Sequence, residues 1–252
     1  MKKLIIANWK ANPTNVKEAE DLFRSVSESY EKVKNSVDLV VCAPFVYLER
    51  LSQIKSSMRL GAQDSFWDSS GPFTGEITPD MLKNLGVEYV LIGHSERRYL
   101  IGEGNNVISK KVKAVLNSDM TPIMLVGEKD KNDERETVLE EQLATGLPDF
   151  TVSEVRKVIL GYEPVWAIST NKNAKADTPE NALAALGIIK NYLFSVYGLE
   201  PDNYKTIYGG SVNRDNIESF VKHSEIDGAA VGGASLRNKE FADMLEIVSN
   251  LG

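Results

Sequence analysis

Eight short apolar segments, beginning near residues 4, 37, 58, 87, 121, 157, 205 and 226, are each followed by a stretch with helical spacing. No other feature narrows the fold so far. Strands joined by crossover helices must pair in parallel through right-handed units, and eight such units in 252 residues suit a closed (β/α)8 barrel. An open doubly wound sheet is the competing architecture. Such a sheet would usually carry Gly-x-Gly-x-x-Gly after its first strand, where this chain has Asn8-Trp9-Lys10. The expectation is therefore an α/β fold, a closed eight-stranded parallel barrel, with residues 1–252 forming one domain.

Local signals support the alternation. Leu4-Ile5-Ile6-Ala7 reads as a buried strand, and Thr14 as the cap of a helix through about Tyr30 with Ala19, Leu22, Phe23 and Val26 on its inner face. Val37 to Cys42 and Met58 to Asp64 are the next strands. After the latter comes a long insertion, residues 65–77, carrying Phe66, Trp67 and Phe73 as exposed aromatics; connections of that length are uncommon unless functional or interfacial. Thr78-Pro79 and Thr178-Pro179 have the cap-then-proline form of helix starts, and Thr151 with Glu154 has capping-box spacing. Helices are expected over Asn105 to Asn117, through Val138, Leu139 and Leu143, and from about Glu240 to Val248.

Composition excludes several functions. With 29 Lys plus Arg against 36 Asp plus Glu, the net charge of −7 advertises no surface for nucleic acid or anionic membrane. The single cysteine, Cys42, lies in an apolar strand and reads as buried and structural; with only His94 and His223 as imidazoles, a multi-histidine zinc site is not expected. The first apolar run is broken by Asn8 and Lys10 before it reaches signal-peptide length, and no stretch approaches the ~20 apolar residues of a membrane span. A reducing, cytoplasmic setting is the expectation.

The unusual residues collect at the strands' C-terminal ends: Asn8 and Lys10, His94 and Glu96, Glu128, Glu163, Ser211, and the pairs Gly209-Gly210 and Gly232-Gly233. In a barrel these ends share one mouth. Glu163 stands between the strand Val158-Ile159-Leu160 and Pro164, which cannot continue a ladder; Val165-Trp166-Ala167-Ile168 behind it is too apolar for a wet loop and reads as a lid. Gly210-Ser211-Val212 and Gly232-Gly233-Ala234 each offer backbone N–H groups and a helix start where barrels commonly hold phosphate. Met in isolation, His94 reads as an edge histidine, Lys10 as a surface charge and Glu96-Arg97-Arg98 as an ion-paired helix start, each ahead of a catalytic role. Together, a carboxylate base, an imidazole donor and a fixed cation suit proton abstraction beside a carbonyl on a small phosphate-bearing metabolite. Paired-carboxylate glycoside chemistry would need Glu128 with Glu163.

The chain resembles the triosephosphate isomerase family over essentially its whole length. The resemblance rests on Asn8-Trp9-Lys10, Gly61-Ala62-Gln63, Phe73-Thr74-Gly75-Glu76, Gly93-His94-Ser95-Glu96-Arg97-Arg98, Val126-Gly127-Glu128, Tyr162-Glu163-Pro164-Val165-Trp166-Ala167-Ile168, Tyr208-Gly209-Gly210-Ser211-Val212 and Val231-Gly232-Gly233-Ala234-Ser235-Leu236. It implies a TIM barrel without cofactor or metal, cytoplasmic and homodimeric, that interconverts dihydroxyacetone phosphate and D-glyceraldehyde 3-phosphate through an enediolate in glycolysis and gluconeogenesis. By the same resemblance Glu163 is the base, His94 polarises the carbonyl oxygens, Asn8 and Lys10 bind substrate and stabilise negative charge, and Glu96 supports them. Phosphate would be held by the backbone at Ser169, Ser211, Gly232 and Gly233. Pro164, Val165, Trp166, Ala167, Ile168, Ser169, Thr170, Asn171 and Lys172 would form the lid, and Gln63, Phe73 and Thr74 the dimer interface. Other phosphosugar barrels, an epimerase or an aldolase, and a barrel retained only for binding are the alternatives.

Four departures from the family's usual pattern stand out. Ser169 and Asn171 replace two lid glycines, the segment Asn173 to Asp177 is longer than usual, Leu125 replaces a common cysteine, and Asp64 and Pro72 stand where Asn and Ala are common.

Overall fold

The structure is a computed structural model that describes residues 2–168 and 177–251. Eight strands pair in sequence order, all parallel, and β8 closes on β1: β1 (Lys3–Asn8), β2 (Val37–Ala43), β3 (Arg59–Ala62), β4 (Val87–Ile92), β5 (Thr121–Val126), β6 (Ile159–Tyr162), β7 (Lys205–Tyr208) and β8 (Gly228–Val231). The expected (β/α)8 barrel is the observed fold. Helices α1 (Val16–Glu31), α2 (Phe45–Ser52), α3 (Pro79–Asn84), α4 (Asn105–Asn117), α5 (Arg135–Gly146), α6 (Val152–Val155), α7 (Pro179–Tyr197), α8 (Ile217–Val221) and α9 (Asn238–Ser249) lie between and after the strands.

Strand alternation builds two cores. Leu4, Ile6, Val40, Cys42, Leu91, Ile123, Leu125, Ile159 and Ile207 point into the barrel and pack on one another, while Ile5, Ala7, Leu39, Val41, Val90 and Met124 point outward against the helices. Both faces are therefore buried, which is why these strands read as unbroken apolar runs rather than alternating ones.

Helix boundaries follow the capping chemistry. Thr78 and Thr178 cap α3 and α7 with Pro79 and Pro179 in the first turn, and Thr151 with Glu154 forms a complete capping box on α6. One assignment is corrected: α1 is capped by Asn15, extended at φ −140°, whose side chain accepts from the Glu18 N–H at 2.9 Å, so the cap lies one residue beyond the expected Thr14. Strand β3 is shorter than the expected Met58 to Asp64 because Asp64 turns into an ion cluster. The aromatics of the third loop are not exposed as expected. Phe66 is buried, stacks on Trp67 at 4.0 Å and meets Phe73 at 4.7 Å, so the loop shelters its own rings. No helix starts at Gly210-Ser211-Val212 either; α8 begins at Ile217.

Candidate active site

Strand phase aims the site. Asn8 follows Leu4 and Ile6 on the inward face of β1, and Glu163 follows Ile159 and Gly161 on that of β6, so both side chains enter the barrel mouth. His94 lies out of phase with the inward Leu91. Gly93, at φ +74°, turns the chain between them and brings the imidazole to the same cavity. Arg98 fixes that turn by donating to the carbonyls of Gly93 (2.7 Å) and Leu125 (3.0 Å) and to Asn105 Oδ1 (2.5 Å).

A cavity of about 240 Å³ opens at this mouth, lined by Asn8, Lys10, His94, Glu163, Ser211 and Gly232 with their neighbours. Lys10 reaches it from a left-handed backbone, φ +52°, which for a side-chain-bearing residue costs on the order of 1 kcal/mol or more and persists only where other contacts impose it. Those contacts are present. Asn8 Oδ1 accepts the Lys10 N–H at 2.9 Å, and Gln63 Nε2 donates to the carbonyls of Lys10 (2.8 Å) and Cys42 (2.9 Å). The Lys10 ammonium then meets Glu96 Oε1 at 2.6 Å, a cation held in a fixed place.

His94 and Glu163 touch directly, Nε2 to Oε1 at 3.0 Å. The tautomer follows from the other nitrogen: the Glu96 backbone N–H donates to His94 Nδ1 at 3.2 Å, so Nδ1 carries no proton and the ring donates through Nε2. Glu163 Oε2 accepts the Ser95 N–H at 2.8 Å. Both carboxylate oxygens are thus taken by protein donors. The backbone of Glu163 is itself tightly seated, since a Cβ on Gly127 would collide with the Glu163 carbonyl.

On the opposite wall, Gly210, Ser211, Gly232 and Gly233 line the cavity together, and a Cβ added at Gly232 would lie 3.3 Å from Lys10 Cε. The expected convergence of the two glycine turns on the mouth is present. Ser169, Thr170, Asn171 and Lys172 lie outside the described residues.

Glu128 has a different position from that of a second catalytic acid. Its Oε1 accepts from Tyr162 OH (2.8 Å), Trp166 Nε1 (3.0 Å) and Arg135 Nε (3.3 Å), which fastens the short 3-10 turn Val165–Ala167 beside Glu163. Burial, then the neighbouring Glu128 charge, pushes the Tyr162 hydroxyl pKa up, so Tyr162 remains a donor. Ser211 Oγ also donates to the Ala167 carbonyl at 2.5 Å.

Three participants escaped sequence reasoning: the Ser95 N–H, the Arg98 guanidinium, and Gln142, whose side-chain amide pairs with both the N–H and the carbonyl of Gly127 at 2.9 and 3.0 Å. A backbone donor has no signature in side-chain identity. Gln142 lies on the Leu139–Leu143 face of α5, so helical spacing turns it inward, but its residue type does not say which backbone groups it pairs with. Among the described residues, no group of three or more His, Cys, Asp or Glu side chains is placed to hold a metal ion, and no helix is long and apolar enough to cross a membrane.

Known proteins match this arrangement across nearly the whole chain. The sequence profile of the triosephosphate isomerase family matches residues 3–248. The triosephosphate isomerase of Dictyoglomus turgidum is 40% identical over 252 residues, covering 97% of this chain and 98% of that one, and that of Clostridium botulinum strain Okra is 42% identical over 245 residues, covering 95% and 96%. The crystal structure of triosephosphate isomerase from Bartonella henselae superposes with a TM-score of 0.84 at 30% identity, covering 98% of this chain and 99% of that one. With an eight-stranded barrel whose mouth gathers lysine, histidine and glutamate beside two glycine turns, the chain belongs to the triosephosphate isomerase family, the isomerases that interconvert dihydroxyacetone phosphate and D-glyceraldehyde 3-phosphate.

Proposed function

We propose that Glu163 is the base that moves the proton between the two substrate carbons and that His94 Nε2–H polarises the carbonyl oxygens. The carrying observation is the 3.0 Å approach of these groups within one cavity. A ketose or aldose phosphate that enters the cavity and displaces the His94–Glu163 contact loses the proton beside its carbonyl to Glu163, and the resulting enediolate charge falls toward the imidazole N–H and the Lys10 ammonium. Glu163 then returns the proton to the neighbouring carbon. Asn8 orients Lys10 and Glu96 holds its ammonium. The backbone N–H groups of Ser169, Ser211, Gly232 and Gly233 bind the phosphate, and residues 164–172 serve as the lid that excludes water from the enediolate.

The test is proton exchange between substrate and solvent in Glu163→Gln and Glu163→Asp. Removing the base should cost ~10²–10⁴-fold, and withdrawing it by about one methylene ~100-fold, with the fold intact. Exchange at the wild-type rate in the Gln variant would dismiss Glu163 as the base.

The chain works as one barrel unit, in the cytoplasm, as a homodimer. Three neighbouring strands support the dimer: Val46 after β2 is 80% exposed, Leu100 and Ile101 after β4 are 81% and 64% exposed, and between them the loop after β3 presents Thr74 to solvent. Leaving such side chains wet forgoes ~1.5–3 kcal/mol each. Because Phe66 is buried within its own subunit, the dimer rests on these residues and on Thr74 and Phe73 rather than on the whole aromatic set. Gln63 serves it from below, holding the Lys10 strand end next to that loop.

A further inference from the structure

A second cavity, of about 330 Å³, opens at the end of the barrel opposite the mouth. Strand phase builds its floor. Leu4 and Ile159 belong to the inward core, and Tyr89, Thr121 and Lys205 stand two residues before the inward Leu91, Ile123 and Ile207, so all five side chains belong to the barrel's lowest layer. The packed side chains of Ile6, Ile123 and Ile207 separate this cavity from the mouth.

The N-terminal face of such a barrel ordinarily serves stability, yet the cations here are not spent on it. Arg156 and Lys157, in the turn before β6, and Lys205, which pairs in register with Ile159, line the cavity; among the described residues none of the three makes an ion pair or a side-chain hydrogen bond. Tyr204 lines it too. That residue is only 6% exposed, and its buried hydroxyl has no hydrogen-bond partner among the described residues. Burial first, then the Asp227 and Glu200 charges, pushes the Tyr204 pKa up to about 12, so the hydroxyl keeps its proton. Arg59 donates to the Tyr89 hydroxyl at 2.6 Å, which leaves the Tyr89 proton to be donated elsewhere. The two acids of the lining are otherwise placed: Asp227 Oδ2 accepts the Thr206 N–H at 2.7 Å with the Lys3 cation near it, and Asp202 is exposed.

We infer that this cavity binds a small polyanion carrying a diphosphate group. Arg156 and Lys157 hold one end of it and Lys205 the other, while the Tyr204 and Tyr89 hydroxyls donate to its oxygens. Two basic segments at neighbouring strand starts match two linked anionic centres, where a single phosphate would engage one segment only. On a chain of net charge −7, three unpaired cations around one recess are a local reversal of sign. The recess also faces away from the exposed residues after β2 and β4, so it stays open in a dimer built on them.

Isothermal titration of inorganic diphosphate into the wild-type chain at low ionic strength should give one saturable event per chain, weakened by added salt. Lys205→Gln and Arg156→Gln should each raise its Kd about tenfold, and Tyr204→Phe about fivefold. Tyr204→Phe should also leave the Tm of the free protein unchanged or raise it, since no protein acceptor is lost; a hydroxyl with a merely structural role would lower Tm and leave the Kd alone. Triose phosphate kcat and KM should stay within about twofold of wild type in all three variants, which lie at the other end of the barrel. Diphosphate that enters the mouth as well gives a second event that these substitutions do not touch. ADP in place of diphosphate separates the sources: tighter binding assigns a nucleoside diphosphate, weaker binding a free diphosphate, and both keep the site. No saturable event up to on the order of 10 mM, or a Kd that either Lys205→Gln or Tyr204→Phe leaves unchanged, overturns the inference.

Discussion

Lys111 is the most exacting test of how the barrel's upper rim is held. Its ammonium, on α4, is 3% exposed and reaches Asp64 Oδ1 and Oδ2 (2.9 and 2.7 Å) and Glu103 Oε1 (2.6 Å); Arg97 meets the same two carboxylates at 2.8 and 2.5 Å. Two charges of each sign thus tie the end of β3, the turn after β4 and α4 together. Lys111→Met keeps the volume of the stem and deletes the charge, leaving two buried carboxylates to one Arg97. Breaking a buried pair by removing one partner costs ~3–5 kcal/mol, and because Arg97 stays, the lower figure applies. Against a domain stability of ~5–15 kcal/mol this is a large loss, a fall in Tm of roughly 6–12 °C. Burial already holds the Asp64 carboxyl above its ordinary range, with Lys111 pulling it down. Without Lys111 it rises further, so the folded variant takes up a proton more readily than the unfolded chain. Where the native state binds more protons, stability increases as pH falls. The deficit of the variant is therefore greatest at and above neutral pH and shrinks as pH drops toward the range of an unfolded Asp, by at most ~1.4 kcal/mol per pH unit. Urea unfolding of both proteins at one protein concentration across pH 5 to 8 reads this directly. A loss under ~1 kcal/mol, or a deficit that does not narrow on acidification, would refute the reasoning.

Other perturbations separate chemistry from support. Lys10→Met removes the cation that Glu96 holds at 2.6 Å, and should lower kcat/KM by ~10²–10³-fold in a coupled triose phosphate assay while the Tm changes little. Gly127→Ala forces a Cβ against the Glu163 carbonyl; overpacking should cost ~1–3 kcal/mol in thermal unfolding, and displacement of Glu163, the proposed base, by ~1 Å should cost ~100-fold in kcat. Replacing Leu100 and Ile101 together by Asp puts charge on two exposed apolar residues after β4, and sedimentation at micromolar concentration should show the mass fall from dimer to monomer; a dimer that survives unchanged would move the interface elsewhere.

The sequence by itself determined the architecture, because each level of it repeats one unit. Apolar runs such as Val37 to Cys42 are long enough only for strands, and Thr-Pro caps start α3 and α7 whatever surrounds them. It also pointed to strand ends as the place for the candidate site, since the C-terminal ends of all eight strands meet at one barrel mouth. Tertiary structure decided what these residues touch. Glu128 and Glu163 have the same standing in the sequence, each a carboxylate just past a strand, yet one holds the Trp166 indole and the other meets His94. Phe66, Trp67 and Phe73 looked exposed because a thirteen-residue insertion was expected to lie open, whereas Trp67 stacks on Phe66 and Phe73 packs against it at a tilt. Asp64, in the sequence only a departure from the family's usual Asn, is one of four charges in a buried cluster with Glu103, Arg97 and Lys111, the last 47 residues away. Strand ends and helix caps are set by forces that act within a few residues, which the sequence carries locally. Partners brought together by barrel closure are separated by tens of residues along the chain, and their pairing exists only once the eighth strand meets the first.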